Sequence, residues 1–283
     1  MMVQVFQIIK WLYKNYIIDN MKNLQELIML EYHLVDSCNL KCAGCSHYAS
    51  LLDKLTYPSV DFIVNDFILL KSKIGDKLKN LRLLGGEPLI HPEICRCLKE
   101  IRNIFQHTNI SIVTNGILLE NMQPEFYDIC RDNNIRIVIT NYDVINVKTV
   151  INKLKEYHIS VVCNKHSKLW RYKHIRLTED KIDCFSKCKF KTICNNYRNG
   201  KIYLCPHIAY VEYFNKYFKK NIILDETDYI SLNNIESFDD LIEKIHSAKP
   251  NFCYHYCNYY DKKHPEKGIW KTTKKDINEF CLV

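Results

Sequence analysis

One stretch of the sequence decides the fold: Asp36-Ser37-Cys38-Asn39-Leu40-Lys41-Cys42-Ala43-Gly44-Cys45-Ser46-His47. Its cysteines follow the spacing C-x3-C-x2-C, directly after a β-like run at residues 30–35. Tetrahedral structural zinc takes four ligands, so three thiols do not complete a zinc site. They suit a [4Fe–4S] cluster, which cysteine thiolates hold, and they leave one of its irons without a protein ligand. The stretch therefore predicts that Cys38, Cys42 and Cys45 bind a reactive cluster; three buried core cysteines are the alternative.

Cysteine is abundant throughout the chain, with 14 in 283 residues. A secreted disulfide protein would begin with a signal peptide that contains a continuous apolar segment. The N-terminal region instead has apolar stretches interrupted by Lys10, Lys14 and Asp19, a pattern typical of an amphipathic helix. We expect residues 1–29 to form a helical cap on the main domain. Clustered cysteines without a signal peptide indicate a cytoplasmic metal protein.

The composition limits the class of partner. Apolar residues make up 47% of the chain and aromatic residues 12%, which is enough for a packed core. No apolar run is long enough to span a bilayer, and no basic run is interleaved with aromatic residues as in proteins that bind nucleic-acid strands. We therefore expect no membrane span and no nucleic-acid partner. The net charge of +8 is expected to help an anionic substrate or a docking reductase find the protein.

Alternating β-like and helical segments follow the cysteine stretch. Strands are predicted at residues 30–35, 81–84, 110–116 (ending in a turn), 135–140 and 159–163, with a short sixth at 174–177. Helices are predicted at residues 60–74, 92–105, 120–132 and 147–157, the first of them capped by Ser59. Such alternation indicates a parallel sheet. Polar motifs follow the first three strands, and in barrels of this kind the loops after the carboxyl ends of the strands carry the chemistry.

The cysteine stretch resembles the cluster-binding signature of the radical S-adenosylmethionine (radical SAM) superfamily. The resemblance implies that the open iron binds the amino and carboxylate groups of SAM, and that one electron then cleaves SAM to a 5′-deoxyadenosyl radical. It also implies an α/β fold in which residues 30–180 form a partial (β/α)6 TIM-like barrel. Residues 181–283 would then form a C-terminal, cysteine-rich auxiliary-cluster extension.

A second motif, Gly85-Gly86-Glu87-Pro88, resembles the GGEP motif with which this family binds the amino group of SAM. Gly85 and Gly86 are expected to let the backbone approach the ligand closely, and Glu87 is expected to pair its charge with the ammonium group. An ordinary turn is the alternative.

Polar residues also end the third and fourth predicted strands. Asn115 and Asn141 are expected either to hydrogen-bond the ribose or carboxylate of SAM, as the family implies, or to serve as turn residues. Many family members carry an aromatic residue just before the third cysteine, where this chain has Gly44. Tyr48 and Tyr142 are the candidates for the missing ring.

A second cysteine group lies near the C-terminus: Cys184, Cys188, Cys194, Cys205, Cys253 and Cys257. With Gly200 shortly before Cys205, it resembles the SPASM and Twitch extensions of radical SAM enzymes, which carry auxiliary clusters. The glycine is expected to permit a hairpin that returns the next thiolate to the cluster. The resemblance implies one auxiliary [4Fe–4S] cluster held by Cys188, Cys205, Cys253 and Cys257, with Cys194 as a possible replacement. A zinc site from the same thiols is the alternative.

The remaining cysteines are expected to be bystanders. Cys95, Cys97, Cys130 and Cys163 fall in predicted helices and a strand, where a free cysteine behaves as a small hydrophobe. Cys281 is expected to be a bystander as well. His47, beside the first cysteine group, is expected either to touch the substrate or to have a packing or hydrogen-bonding role.

The combined motifs resemble a group of small radical SAM proteins encoded in bacterial surface-polysaccharide clusters. The resemblance implies an oxidoreductase that abstracts hydrogen from a sugar or glycan precursor, in a dehydrogenation or epimerisation, with a flavodoxin-like or ferredoxin-like electron donor. A maturase of ribosomally made peptides is the alternative, although the segment before the first strand looks short for a peptide-clasping domain. A non-catalytic iron–sulfur scaffold is the third hypothesis, and it would not need Gly85-Gly86-Glu87-Pro88.

Overall fold

The computed structural model describes residues 29–165, 170–171, 175–188, 190, 193–258, 267–268 and 270–283. The predicted N-terminal helical cap, residues 1–29, lies outside these ranges apart from Met29, which begins the first strand. Within them, no helix has both the length and the apolar character needed to cross a membrane.

One eight-stranded sheet forms the centre of the described structure. Its strands, in spatial order, are β10, β9, β8, β1, β2, β3, β4 and β5. Two small two-stranded sheets pair β11 with β6 and β12 with β7. The bounds are β1 Met29–Val35, β2 Asn80–Gly85, β3 Asn109–Thr114, β4 Arg136–Asn141, β5 Val161–Lys165, β6 Trp170–Arg171, β7 Ile175–Arg176, β8 Asn195–Arg198, β9 Lys201–Tyr203, β10 Ile230–Ser231, β11 Lys267–Gly268 and β12 Cys281–Leu282.

Helices connect and cover these strands. Their bounds are α1 Val60–Ile74, α2 Ile94–Ile104, α3 Pro124–Asp132, α4 Val147–Glu156, α5 Pro206–Ala209, α6 Val211–Phe218, α7 Phe238–Ser247 and α8 Asn251–His255. The Ser59 hydroxyl accepts a hydrogen bond from the Phe62 amide and caps α1, as predicted. Short 3-10 turns are interspersed, including Pro88–Ile90 directly after Glu87.

The predicted parallel sheet is confirmed for the first five strands. From β1 to β5 each strand pairs in parallel with the next, and one helix lies between each pair. Because such connections are right-handed, the four helices α1 to α4 lie on one face of the sheet. Buried apolar side chains alternate along the strands toward that face, as at Leu30, Leu81, Ile110 and Ile137.

The sixth strand differs from the prediction. Residues 174–177 were expected to extend the sheet beyond β5, but Ile175 and Arg176 pair with β12 in a separate sheet. The sixth parallel strand is β8, which pairs with β1 on the side away from β2. It belongs to the hairpin β8–β9, whose turn residues Asn199 and Gly200 both have positive φ. The hairpin predicted from Gly200 is therefore confirmed, and it joins the C-terminal region to the main sheet.

The other face of the sheet carries polar side chains. Glu31 on β1 lies opposite Arg82 on β2 and Asn196 on β8. Arg82 donates to the Glu31 carboxylate at 3.0 Å. This polar row therefore lies on the face of the sheet opposite the helices α1 to α4.

Candidate active site

The cysteine loop follows the carboxyl end of β1. Cys42 is buried, and Cys38 and Cys45 are half-buried. The Leu40 amide donates to Cys38 Sγ at 3.3 Å. Burial, with smaller contributions from the neighbouring Glu87 and Cys45, raises the pKa of Cys38 to about 12, and the hydrogen bond from Leu40 opposes the rise. Burial likewise raises the pKa of Cys42, with Cys45 and Cys38 adding to the shift.

These thiols fit a cluster of the predicted kind. All three come from one loop, and after burial the neighbouring thiols of the group raise the pKa of Cys38 and of Cys42, as nearby negative charges do. Thiolates held in such a place need a positively charged partner, which the irons of a cluster supply. Nearby polar hydrogens from Leu40 and Trp270 point at two of the sulfurs. Such donors stabilise sulfur ligands.

The two glycines of the second motif make a backbone contact that was not predicted, and their close approach to SAM stays a prediction. A Cβ on Gly85 would lie 1.9 Å from the Val35 carbonyl oxygen, and a Cβ on Gly86 would lie 2.1 Å from the Ser37 carbonyl oxygen. The Gly86 amide donates to the Val35 carbonyl, and the Glu87 amide donates to the Ser37 carbonyl. The absence of side chains therefore lets this loop pack against the backbone that leads into the cysteine loop.

The Glu87 side chain also makes contacts that were not predicted. It is fully buried, and its carboxylate accepts from the Thr114 hydroxyl at 2.7 Å, the Asn115 amide at 2.9 Å and the Leu89 amide at 3.1 Å. Burial raises its pKa to about 7, and these three donors oppose the rise. Glu87 thus ties the loop after β2 to the loop after β3. Its role as a charge partner for SAM stays a prediction.

The two predicted asparagines have different surroundings. Asn115 Nδ2 donates to Asn39 Oδ1 at 2.8 Å and lies 3.8 Å from Cys38 Sγ, so it contacts the cysteine loop. Asn141 bonds within its own turn, where its amide group contacts Asp143. The geometry brings Asn115 to the candidate site and leaves Asn141 engaged in a local turn; contact of either with SAM stays a prediction.

Both candidate aromatic residues lie at the cysteine loop: the Tyr48 amide donates to the Cys45 carbonyl at 3.0 Å, and the three thiols act on Tyr142. Its pKa is raised by burial and then by Cys42, Cys45 and Cys38. Tyr48 is also buried but packs on Phe214, and its hydroxyl contacts His207 at 3.2 Å. A second ring was not predicted: Trp270 lies 5.7 Å from Tyr142 between ring centroids.

A row of buried polar side chains, linked by hydrogen bonds, lies beside the loop and was also not predicted. The Tyr213 hydroxyl donates to Asp36 at 2.6 Å, and Asp36 accepts from His33 Nδ1 at 2.8 Å. The other ring nitrogen of His33 lies 2.7 Å from His47 Nδ1, and the His33 ring stacks on Tyr210 at 3.7 Å. His47 therefore has a hydrogen-bonding role here. Polar residues within an apolar strand, Glu31 and His33, were the signal in the sequence.

A cavity of about 390 Å³ opens next to this row of hydrogen-bonded side chains. Asp36 and Arg198 provide opposite charges in its wall, and aromatic rings provide most of the rest. The lining includes Tyr32, Tyr57, Phe62, Tyr197, Tyr210 and Tyr213. Its size is within the range of small-molecule sites.

The second cysteine group converges although its members are far apart in sequence. Burial raises the pKa of Cys253, and the closeness of Cys205, Cys188 and Cys184 raises it further. Burial also raises the pKa of Cys194, and the nearby Glu31, Cys205 and Cys188 add to the rise. The Cys184 thiol donates to the Cys257 carbonyl at 3.2 Å. Across the described ranges, no three Cys, His, Asp or Glu side chains are arranged to hold a single metal ion. Ligation by this group, whether of a cluster or of zinc, stays a prediction.

The expected bystander cysteines lie in the core or against it. Cys97 and Cys130 are buried on α2 and α3, and Cys95 and Cys163 are half-buried against the same core. Cys281 is buried on β12.

The chain is similar to known proteins mainly through its N-terminal half. The family model of the Radical SAM superfamily matches residues 32–166. GTP 3',8-cyclase of Microcystis aeruginosa is 30% identical over 111 residues, 37% of this chain and 32% of that protein. Molybdenum cofactor biosynthesis protein 1 of Bos taurus is 33% identical over 98 residues, 34% of this chain and 15% of that protein. Neither match spans more than a third of the relative's length.

Two solved structures are similar at low sequence identity. BtrN in complex with AdoMet and 2-DOIA is 16% identical with a TM-score of 0.47, over 78% of this chain and 85% of that chain. Streptococcus suis SuiB bound to S-adenosylmethionine is 16% identical with a TM-score of 0.40, over 50% of this chain and 35% of that chain. The matched segment, residues 32–166, contains both the C-x3-C-x2-C loop and the Gly85–Glu87 turn, and its similarity to the Radical SAM superfamily indicates an iron–sulfur enzyme.

Proposed function

We propose that the protein reductively cleaves SAM and uses the resulting radical to abstract hydrogen from a small, polar substrate, in a dehydrogenation or epimerisation of a sugar or glycan precursor. The observation that carries the proposal is the meeting of three loops: the cysteine loop packs against Gly86, and Asn115 contacts the cysteine loop. When bound at Cys38, Cys42 and Cys45, a [4Fe–4S] cluster with one open iron supplies the electron for this cleavage.

The chain's own residues position this site. Glu87 joins the loops after β2 and β3 through its hydrogen bonds. The glycines before it let the loop after β2 pack against the start of the cysteine loop, and Asn115 joins the loop after β3 to Asn39. Tyr142 lies near the three thiols, which raise its pKa together with burial, and an aromatic ring there would help to exclude water from the site. A rigid and dry setting of this kind is what a reactive radical requires.

A polar substrate is supported by the groups beside the loop. The cavity next to Asp36 combines charged groups with exposed aromatic edges, of which Tyr57 is 40% exposed. Sugar derivatives offer hydroxyl groups to the former and C–H faces to the latter. We also propose that the protein is cytoplasmic and that it receives its electron from a flavodoxin-like or ferredoxin-like donor.

The second cysteine group is proposed to hold an auxiliary [4Fe–4S] cluster on Cys188, Cys205, Cys253 and Cys257, with Cys194 as the possible replacement. Support comes from the mutual closeness of Cys188, Cys205 and Cys253. The auxiliary cluster would accept the electron of the substrate radical, which makes the reaction an oxidation. Cys253→Ala should then lose product while 5′-deoxyadenosine still forms. Equal loss of both, with the first cluster intact, would assign the group a structural role.

Iron content tests the assignment of both groups. Anaerobically purified protein is expected to carry about eight irons, four in each cluster. Replacing Cys38, Cys42 and Cys45 together by Ala should leave about half of the iron. The matched control is Cys130→Ala, which removes a buried thiol on α3 and should leave the iron unchanged.

Transfer of a substrate hydrogen tests the reaction. Deuterated nucleotide sugars, a peptide and GTP, the last named by the relatives, are each incubated with SAM and reductant. Deuterium in 5′-deoxyadenosine from a nucleotide sugar supports the proposal. Deuterium from the peptide or from GTP alone would reject a sugar substrate in favour of that compound.

A further inference from the structure

The C-terminal segment pairs with the cysteine loop. The Ala43 amide donates to the Lys271 carbonyl at 3.0 Å, and the Thr273 amide donates to the Lys41 carbonyl at 2.8 Å. Cys42 and Thr272 face each other in this antiparallel bridge. One backbone hydrogen bond on each side of Cys42 therefore fixes residues 271–273 along the loop.

This pairing brings Trp270 to Cys42. Its indole Nε1 donates to Cys42 Sγ at 3.1 Å, a short distance for a hydrogen bond to sulfur. The indole nitrogen is a donor only, so it stabilises negative charge on the sulfur and offers no acceptor in return. The neighbouring ring of Tyr142 limits where the indole can lie.

We propose that Trp270 is a positioning residue that tunes the reduction potential of the cluster held by Cys42, an inference that rests on the proposed function. Adding an electron to an iron–sulfur cluster increases the negative charge on its sulfur ligands, so a donor to a ligand sulfur favours the reduced form. The indole hydrogen bond therefore raises the potential of this cluster. It makes the reduction that must precede SAM cleavage easier for a biological donor.

Further contacts hold the segment that follows Trp270, residues 271–279, which we call the tail. Lys275 forms an ion pair with Asp53, and the Thr273 hydroxyl contacts Glu279. These contacts hold the tail beyond the bridge in place. The position of the indole thus depends on a C-terminal segment outside residues 32–166, the part that matches the superfamily, and on the contacts of that segment with Lys41, Ala43 and Asp53 inside it.

The test is an anaerobic, EPR-monitored redox titration of the reconstituted protein and of Trp270→Phe. Phenylalanine keeps an aromatic ring beside Tyr142 and removes only the N–H donor. The signal that changes on adding SAM identifies the cluster with the open iron. The equilibrium constant for its reduction should fall about tenfold, equivalent to a potential lower by about 59 mV for a one-electron couple.

The control is Tyr217→Phe, a change on the half-exposed surface of α6, which should leave the potential unchanged. An unchanged potential in Trp270→Phe, with full iron content, would overturn the inference and leave the proposed function intact. Loss of the cluster from Trp270→Phe would overturn it too, because the indole would then serve assembly. A wild-type protein without any SAM-sensitive signal would instead reject the proposed function.

Discussion

The Glu87 carboxylate accepts a 2.7 Å hydrogen bond from the Thr114 hydroxyl, and both groups are buried. This contact joins the loops after β2 and β3 at the edge of the sheet where the cysteine loop lies. The carboxylate also accepts from two backbone amides, so both of its oxygens have donors. Glu87 therefore acts as an anchor of the site in addition to whatever contact it makes with SAM.

The first prediction concerns this anchor. Glu87→Gln places an amide NH2 where a carboxylate oxygen accepted, so it faces either the Asn115 amide or the Thr114 hydroxyl. Leaving a buried donor without an acceptor costs about 1–3 kcal/mol. Urea denaturation of the anaerobic protein should show this loss of unfolding free energy. A midpoint equal to that of the wild type would contradict the assigned hydrogen bonds.

The second prediction compares two glycines. In Gly86→Ala the new Cβ would lie 2.1 Å from the Ser37 carbonyl oxygen, so the start of the cysteine loop must move. Bound iron and the melting temperature should both fall. The control is Gly75→Ala, whose Cβ meets nothing within 4 Å although its φ is +61°. It should cost only about 1–2 kcal/mol of backbone strain and retain its iron. Equal iron in both variants would count against the close loop packing.

The third prediction concerns pH. Burial lowers the pKa of His33, while Asp36 opposes the shift; burial also lowers the pKa of His47, and His33 lowers it further. Below about pH 6.5 the unfolded chain therefore binds protons that the folded chain does not, and the histidines' contribution to stability falls as the pH falls. The positive charges of Arg198 and Arg82 also lower the pKa of His33 and of His47, respectively.

Two carboxyl groups act in the opposite direction in the same window. Burial raises the pKa of Glu31 and of Glu87 to about 7, so the folded protein is stabilised as the pH falls toward the usual value of 4.5. A comparison with His47→Gln isolates the histidine contribution. Between pH 7.5 and 5.5 the wild type should lose more stability than the variant, as measured by thermal melts. Parallel pH profiles would show that His47 titrates normally.

Much of the fold was predictable because local patterns coincide with it. The runs at 30–35 and 135–140 and the Ser59 cap all lie within one or two residues of the observed elements. The short strand at 174–177 was misplaced because two residues carry too little pattern to indicate their partner. Only the folded chain brings β8 beside β1.

The motifs of the candidate site could be predicted from the sequence, whereas most of the contacts between them could not. The spacing of Cys38, Cys42 and Cys45 is a local property and was visible directly. The packing of Gly86 against Ser37 and the hydrogen bond from Trp270 to Cys42 join distant parts of the chain. No periodicity or spacing in the sequence specifies them, because they depend on how the loops meet.

The measurement that tests the central claim most directly is cleavage of SAM without substrate. Dithionite-reduced protein is incubated anaerobically with SAM, and 5′-deoxyadenosine and methionine are quantified. The wild type and the buried-thiol control Cys97→Ala should form both slowly and in equal amounts, whereas Cys42→Ala should form neither, because no cluster can then offer an open iron. Robust cleavage by Cys42→Ala, or none by a wild-type protein with full iron content, would contradict the account.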